Sequence, residues 1–273
     1  VRADRIFAYG ATAGLIGDLL LGDPRRGHPV AAFGRAAAGV ENRLWRDHRG
    51  WGALHTLVCA GGAAGGAALA ARAVRGRPAA AVALTAAATW SVVGGTSLGR
   101  EARAIGGALA AGDLDRARER LPHLCGRDPH SLDGPAIARA VVESVAENTS
   151  DAVVGALVWG ALGGVPGLVG FRDCLLYTSG KHPSPNAGPV EASFAGALGV
   201  RLGGTLAYGG RVEHRPVLNG ERGRDVRVED VERAVRLSRR VGVLALGVCV
   251  AGRLAWGRAG LRRGRTRAGK GRA

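Results

Sequence analysis

Three stretches of the chain, residues 51–71, 79–98 and 152–171, contain no Lys, Arg, Asp or Glu. At 1.5 Å of rise per residue, roughly 20 apolar residues cross a bilayer core of about 30 Å. A shorter apolar stretch, 6–22, precedes them and holds Asp18, and a last one, 241–256, is interrupted by Arg253. Between them lie two polar regions, 99–151 and 173–240. The alternation predicts an all-α fold: a polytopic integral membrane helical bundle with polar helical and loop regions between the spans. One membrane-embedded domain is expected over 1–256, followed by a basic C-terminal tail over 257–273.

Local signals divide the polar parts further. Residues 22–29, GDPRRGHP, force an irregular turn, and a helix at the bilayer surface is expected to follow, bearing Arg35, Arg43, Arg46 and Arg49 beside Trp45 and Trp51. Asp113 marks a helix start, with Leu114, Ala117 and Leu121 on its apolar side, and a second helix opens near Pro135. Gly61 and Gly65, Gly62 and Gly66, and Gly160 and Gly164 form GxxxG pairs of the kind that let helices approach closely in lipid.

Charge changes the picture in one respect. The chain carries 38 Lys and Arg against 22 Asp and Glu, a net charge of +16. A nucleic-acid binder is one class with that balance, but here the charge crowds into loops and the tail. Aromatic residues make up only 4% of the chain, too few to interleave with basic groups as base-stacking platforms, so no nucleic acid is expected as a partner. The four cysteines are far apart and form no CxxC or Cys/His ligand spacing, which excludes a sequence-evident zinc site.

Candidate chemistry sits in the polar regions. Glu143, Glu147 and Asp151 are spaced four apart and so share one helical face, with Arg139 a turn earlier and Asn148 between them. Such a face suits Mg²⁺ or an ammonium group; a solvated acidic face is the other reading. Residues 181–189 hold three prolines and display Lys181, His182, Ser184 and Asn186 on a rigid loop, with Glu191 following. Tyr208 and Arg211 flank a Gly-Gly turn, and Asp18 lies within the first apolar stretch. No Walker sequence and no GxGxxG occurs, so a nucleotide needs another cradle.

Three sequence words go further. GDLLLGDPRRGHPV (17–30), GRDPHSLDGPAIARAVVESVAENTSDAVV (126–154) and HPSPNAGPVEASFAGALGVRLGGTLAYGGRVEHRP (182–216) resemble adenosylcobinamide-phosphate synthase, the CobD/CbiB family of cobalamin biosynthesis. The likeness is ordered along the chain and covers nearly all of 6–245. It implies a multi-pass enzyme of the cell (inner) membrane, with a homo-oligomer among the expected assemblies. That enzyme joins aminopropanol, or its O-phosphate, in amide linkage to a propionate of adenosylcobyric acid, using ATP and Mg²⁺. On that reading Glu143, Glu147 and Asp151 hold the metal, Lys181, Arg127 and Arg211 clamp phosphates, and His28 or His182 takes the amine's proton. Asn186 completes the catalytic set. Asp18, Asp23, Arg127, Asp128, Asn148, Ser184, Glu191, Tyr208 and Arg211 are the expected substrate contacts. The rival class is a small-solute membrane transporter using Asp18 and the Glu143, Glu147 and Asp151 face as a relay, which the nearly uncharged spans disfavour.

The chain departs from the family pattern at one place. Only residues 172–181 separate the span 152–171 from HPSPNAG, where family members carry a longer stretch with a further apolar helix. Strict alternation of spans then puts 99–151 and 173–240 on opposite sides of the bilayer, and an internal segment is expected to be missing here.

Overall fold

The structure is a computed structural model that describes residues 2–24, 27–178, 187–208 and 211–270. Its helices in chain order are α1 (Ala3–Leu21), α2 (Pro29–Leu44), α3 (Arg49–Thr56), α4 (Gly62–Ala73), α5 (Pro78–Val92), α6 (Gly95–Ala110), α7 (Leu114–Arg120), α8 (Gly134–Asn148), α9 (Ala156–Thr178), α10 (Ala187–Leu198) and α11 (Val228–Lys270). Short π-helical turns, Leu57–Gly61 and Thr149–Gly155, join α3 to α4 and α8 to α9. Three helical stretches, Arg49–Ala73, Pro78–Ala110 and Gly134–Leu175, are long and apolar enough to cross a membrane. The fold is all-α and membrane-like, with one small hairpin.

That hairpin is an addition to the expected pattern. Strands β1 (Leu202–Tyr208) and β2 (Arg211–Leu218) pair antiparallel, with an irregularity between Gly203 and Thr205. Pro216 is tolerated in β2 because a two-stranded ribbon has only edges.

The expected domain over 1–256 divides into two compact units interleaved along the chain. Unit one is Val1–Gly94, Ala152–Gly180 and Val243–Ala273; unit two is Gly95–Asp151 and Lys181–Gly242.

In unit one, α1 packs on α5 through small residues. A Cβ added at Gly10 or Gly14 would stand 2.5 Å from the Cβ of Thr85 or of Thr89. Thr85 and Thr89 donate their hydroxyls to the carbonyls of Ala81 and Thr85, so each threonine satisfies its own polar group within α5. At the expected GxxxG pairs of 61–66, an added Cβ would meet nothing within 4 Å at Gly62, Gly65 and Gly66 and Leu57 of its own turn at Gly61, among the described residues. Of the expected pair Gly160 and Gly164, Gly160 is tightly packed, 2.7 Å from Leu168 and 3.2 Å from Phe7 at its Cβ position. Among the described residues, every large exposed hydrophobic side chain except Val217 belongs to unit one, from Tyr9 and Leu20 to Val248 and Trp256. Apolar surface turned outward on that scale marks contact with lipid.

Two expected spans hold as candidate crossings but are not straight helices. The stretch 79–98 is broken at Val93, which takes φ −90° and ψ 102° between α5 and α6. The stretch 152–171 is not a straight crossing. Gly164 takes φ 64° and ψ −147° inside α9, two residues before Pro166, and the chain turns back on itself. Leu168 Cγ comes within 2.7 Å of the Cβ position of Gly160. The rings of Trp159 and Phe171 stack with centroids 6.2 Å apart, whereas twelve residues of straight helix span about 18 Å. The break frees helical carbonyls, and Arg253 of α11 donates to those of Ala161 and Leu162 at 2.5 and 3.2 Å. This explains a charge within the apolar stretch 241–256.

Unit two has the core of a water-soluble protein. Ile105, Leu121, Ile137, Val141, Val142, Val145, Val200 and Leu202 are all but fully buried. Helix α8 runs through it, buried from Ile137 to Ala146 apart from Arg139. The local start signals hold: Asp113 Oδ1 accepts from the Arg116 N–H at 3.0 Å, and Asp133 Oδ1 from the Ala136 N–H at 2.9 Å, with Pro135 in the first turn.

Candidate functional site

The central group of unit two is Glu143, on the buried helix α8 and only 2% exposed. Its Oε2 accepts from Arg127, itself 6% exposed, in a short buried ion pair. Its Oε1 accepts from the Gly203 N–H at 2.7 Å. Gly203 can present that N–H because it takes φ 78°, and a Cβ there would lie 2.2 Å from the Pro216 carbonyl oxygen. The Gly-Gly of β1 thus bends the hairpin onto α8. A buried carboxylate is tolerable only with this kind of pairing.

Around the pair stand further charged groups. Glu147, one turn along α8, is half-buried and within electrostatic reach of Asp151, Arg215, Arg127 and Glu143. Glu191 on α10 is 5% exposed. Burial pushes its carboxyl up, the nearby Glu143 adds to this, and it reaches about 7 despite Arg215 and Arg127. Asn148 donates to the Ser144 carbonyl at 2.9 Å, and Thr149 donates to the Val145 carbonyl at 2.6 Å and lies 2.7 Å from Ser238 Oγ. The solvated-face reading therefore fails for Glu143. The three carboxylates Glu143, Glu147 and Asp151 also do not form a ready metal cluster among the described residues, because Glu143 is already engaged by Arg127 and Gly203.

The other expected site residues fall as follows. Asp128 holds the turn before α8, its Oδ1 accepting from the His130 N–H at 3.0 Å. Asp18, Asp23 and His28 belong to unit one. Asp18 is 1% exposed on the buried face of α1 that also carries Gly10 and Gly14. His28 caps α2: its Nδ1 accepts from the Val30 N–H at 3.1 Å, and its Nε2 points to Asp23 Oδ1 at 3.5 Å. Tyr208 and Arg211 are the last pair of the hairpin ladder. Lys181, His182, Ser184 and Asn186 lie outside the described residues. Two contributors were not singled out from sequence, Gly203 and Arg215. The Gly203–Gly204 doublet before a β-prone run was the available signal for the first.

The converging groups come from the words GRDPHSLDG, ESVAENTSD, GPVEA and RVEHRP, widely separated in sequence. A family model described as CobD/Cbib protein matches residues 11–174 and 171–238. The chain belongs to the CobD/Cbib family. The protein named Cobalamin biosynthesis protein CobD of Mycobacterium tuberculosis (strain ATCC 25618 / H37Rv) is 42% identical over 291 residues, covering 85% of this chain and 91% of that one. The proteins of the same name from Chromobacterium violaceum and Geobacter metallireducens are 35% and 32% identical, covering 83% and 74% of this chain and 90% and 83% of theirs. No solved structure matches the chain. The alignment with the mycobacterial CobD runs to 291 positions, more than the 273 residues of this whole chain. The two stretches matched by the CobD/Cbib model meet at residues 171–174, where the sequence departs from the family pattern.

Proposed function

We propose that this protein forms the amide bond between aminopropanol, or its O-phosphate, and a propionate of adenosylcobyric acid at the membrane, in an ATP-dependent step of cobalamin biosynthesis. The observation that carries the proposal is the buried Arg127–Glu143–Gly203 group with Glu147, Asp151, Glu191 and Arg215 around it, assembled from the words that resemble the synthase.

A propionate is a poor acyl donor until one oxygen becomes part of a good leaving group, which is what a nucleoside triphosphate supplies. Glu147 and Asp151 would hold Mg²⁺, which takes one or two carboxylates beside phosphate oxygens and neutralises their charge when bound. Engagement of Glu143 by Arg127 fits this smaller donor set. Arg127 and Arg215 are placed to stabilise negative charge on phosphoryl or carboxylate oxygens, with Glu143 fixing Arg127 in position. The apolar helices of unit one would keep the enzyme at the bilayer. Cell-membrane location, several crossings and self-association are parts of the same proposal.

The test is production of the amide in a strain lacking the synthase. Two chains are compared: the sequence as it stands, and one carrying a family-like segment inserted after Arg172. Amide product from the second chain, identified by mass, supports the reading. Absence of product from both, with both in the membrane fraction, overturns it.

A further inference from the structure

Of the three candidate crossings, the helical stretch Arg49–Ala73 is the one least covered by the rest of the described chain, and its Leu54, Leu57, Val58 and Leu69 are exposed. An apolar helix bare to this degree faces lipid along its length, so its first turn stands at the edge of the hydrocarbon core. Two large rings mark that edge. Trp51, in the first turn of α3, is 40% exposed, and Trp45, on the segment leading into it, is 57% exposed. Tryptophan gathers at this depth because its ring is apolar while its N–H needs a polar partner.

Cations are placed with the rings. The Arg46 guanidinium lies 5.8 Å from the centroid of the Trp51 ring, and its Nη1 donates to the Trp45 carbonyl at 2.9 Å. These contacts hold Arg46 between the two tryptophans while using one of the five donors of its fork. Arg49, three residues on, is exposed, as is Arg43, whose Nη1 donates to the Gly39 carbonyl at 2.9 Å. His48 is occupied as the cap of α3, its Nδ1 accepting from the Gly50 N–H at 3.0 Å. From Arg35 to Trp51 four arginines stand against Glu41 and Asp47, a net charge of +2 with histidine neutral. We propose that Arg46 and Arg49, flanked by Trp45 and Trp51, bind the headgroup phosphate of an anionic phospholipid. A phosphodiester accepts from a guanidinium through paired N–H groups, and a guanidinium already held in place loses less freedom on binding. A zwitterionic lipid brings its own cation, which the positive surface repels, so the preference is for net negative charge. The site lies wholly in unit one and is independent of the amide-forming reaction.

The experiment is native mass spectrometry of the detergent-solubilised full chain, titrated with phosphatidylglycerol or with phosphatidylcholine of the same acyl chains. Phosphatidylglycerol should bind about tenfold or more tightly. At roughly fivefold per arginine, Arg46→Gln with Arg49→Gln should weaken phosphatidylglycerol by about tenfold or more and leave phosphatidylcholine unchanged. Arg46→Lys with Arg49→Lys should keep most of the preference. Arg116→Gln with Arg222→Gln, which removes the same charge from exposed positions of unit two, should keep all of it. Equal affinity of the unsubstituted chain for both lipids overturns the proposal, as does wild-type affinity for phosphatidylglycerol in the Arg46 and Arg49 glutamine pair. Displacement of phosphatidylglycerol by millimolar inorganic phosphate also overturns it, assigning the arginines to free phosphate. The comparison of lipids on the unsubstituted chain and the lysine pair decide the matter if the glutamine pair does not fold.

Discussion

The two units solve the problem of burying polar groups in opposite ways. In unit one the outward surface is apolar, the helices touch through Gly10 and Gly14, and each threonine hydroxyl is returned to its own helix. Its charged helper, Arg253, serves backbone carbonyls opened by the break at Gly164. In unit two the apolar side chains are inside, and charges are buried in groups: Arg127 with Glu143, and Asp230 with Arg224 and Arg233. In lipid there is no water to satisfy a stray polar group, and the polar side chains Asp4, Asp18, His55 and Asp173 of unit one are buried. In a packed aqueous unit, clustered charge can be held for chemistry at the cost of pairing it. On the proposed function, the reaction belongs to unit two and the anchoring to unit one.

The largest effect expected concerns the join at 171–174. If a family-like segment is required there, the chain as it stands gives no amide in a synthase-deficient strain, and the chain with such a segment inserted after Arg172 restores it. A sequencing read of the gene through codons 165–190 shows independently whether the short join is encoded. Restoration by the chain as it stands would mean that unit two completes its site without the segment.

Next is the buried charge that is purely architectural. Burial pushes the Asp230 carboxyl up, but hydrogen bonds from Arg224, the Arg227 N–H and Arg233 outweigh it and hold it at about 2. Its folded value is thus below the usual unfolded value of about 3.9, so its stabilisation is full above that value and fades as pH falls towards about 2. Asp230→Asn should destabilise unit two by about 3 kcal/mol at neutral pH and by less in acid, read by chemical denaturation monitored through amide exchange on unit-two peptides. Equal losses at both pH values would refute the assignment.

A smaller effect separates the glycines of unit one. Gly14→Leu should cost about 1–3 kcal/mol, since Thr89 and the Ala86 carbonyl occupy the space, whereas Gly62→Leu should be near neutral within one chain. Resistance of the membrane-bound protein to unfolding in detergent measures both. A large loss at Gly62 would reveal a second copy packed there.

Legibility in the sequence followed the range of each cause. The helix starts at Asp113 and near Pro135 were readable because start signals act over about three residues, and the structure adds Asp133 as the cap of the second. The fold-back at Gly164 was missed because the apolar run reads as one crossing by length and hydropathy, although Gly163, Gly164 and Pro166 were the available signal of a break. The acidic face 143–151 was visible as a period. Its burial was not, because α8 is enclosed almost all round and leaves no polar stripe to measure against. The hairpin escaped notice because Gly203 and Gly204 weaken a strand signal while making its contact with Glu143 possible.

The claim that the chemistry belongs to the cluster in unit two is tested most directly by one assay. Membranes bearing the segment-restored chain are supplied with adenosylcobyric acid, aminopropanol phosphate, ATP and Mg²⁺, and the amide is quantified by mass spectrometry. Glu147→Gln should lower the initial rate by about two orders of magnitude or more, while Glu119→Gln, on α7 of the same unit, stays within about twofold of the unsubstituted chain. Equal, small effects at Glu147 and Glu119 would contradict the placement of the reaction at this cluster.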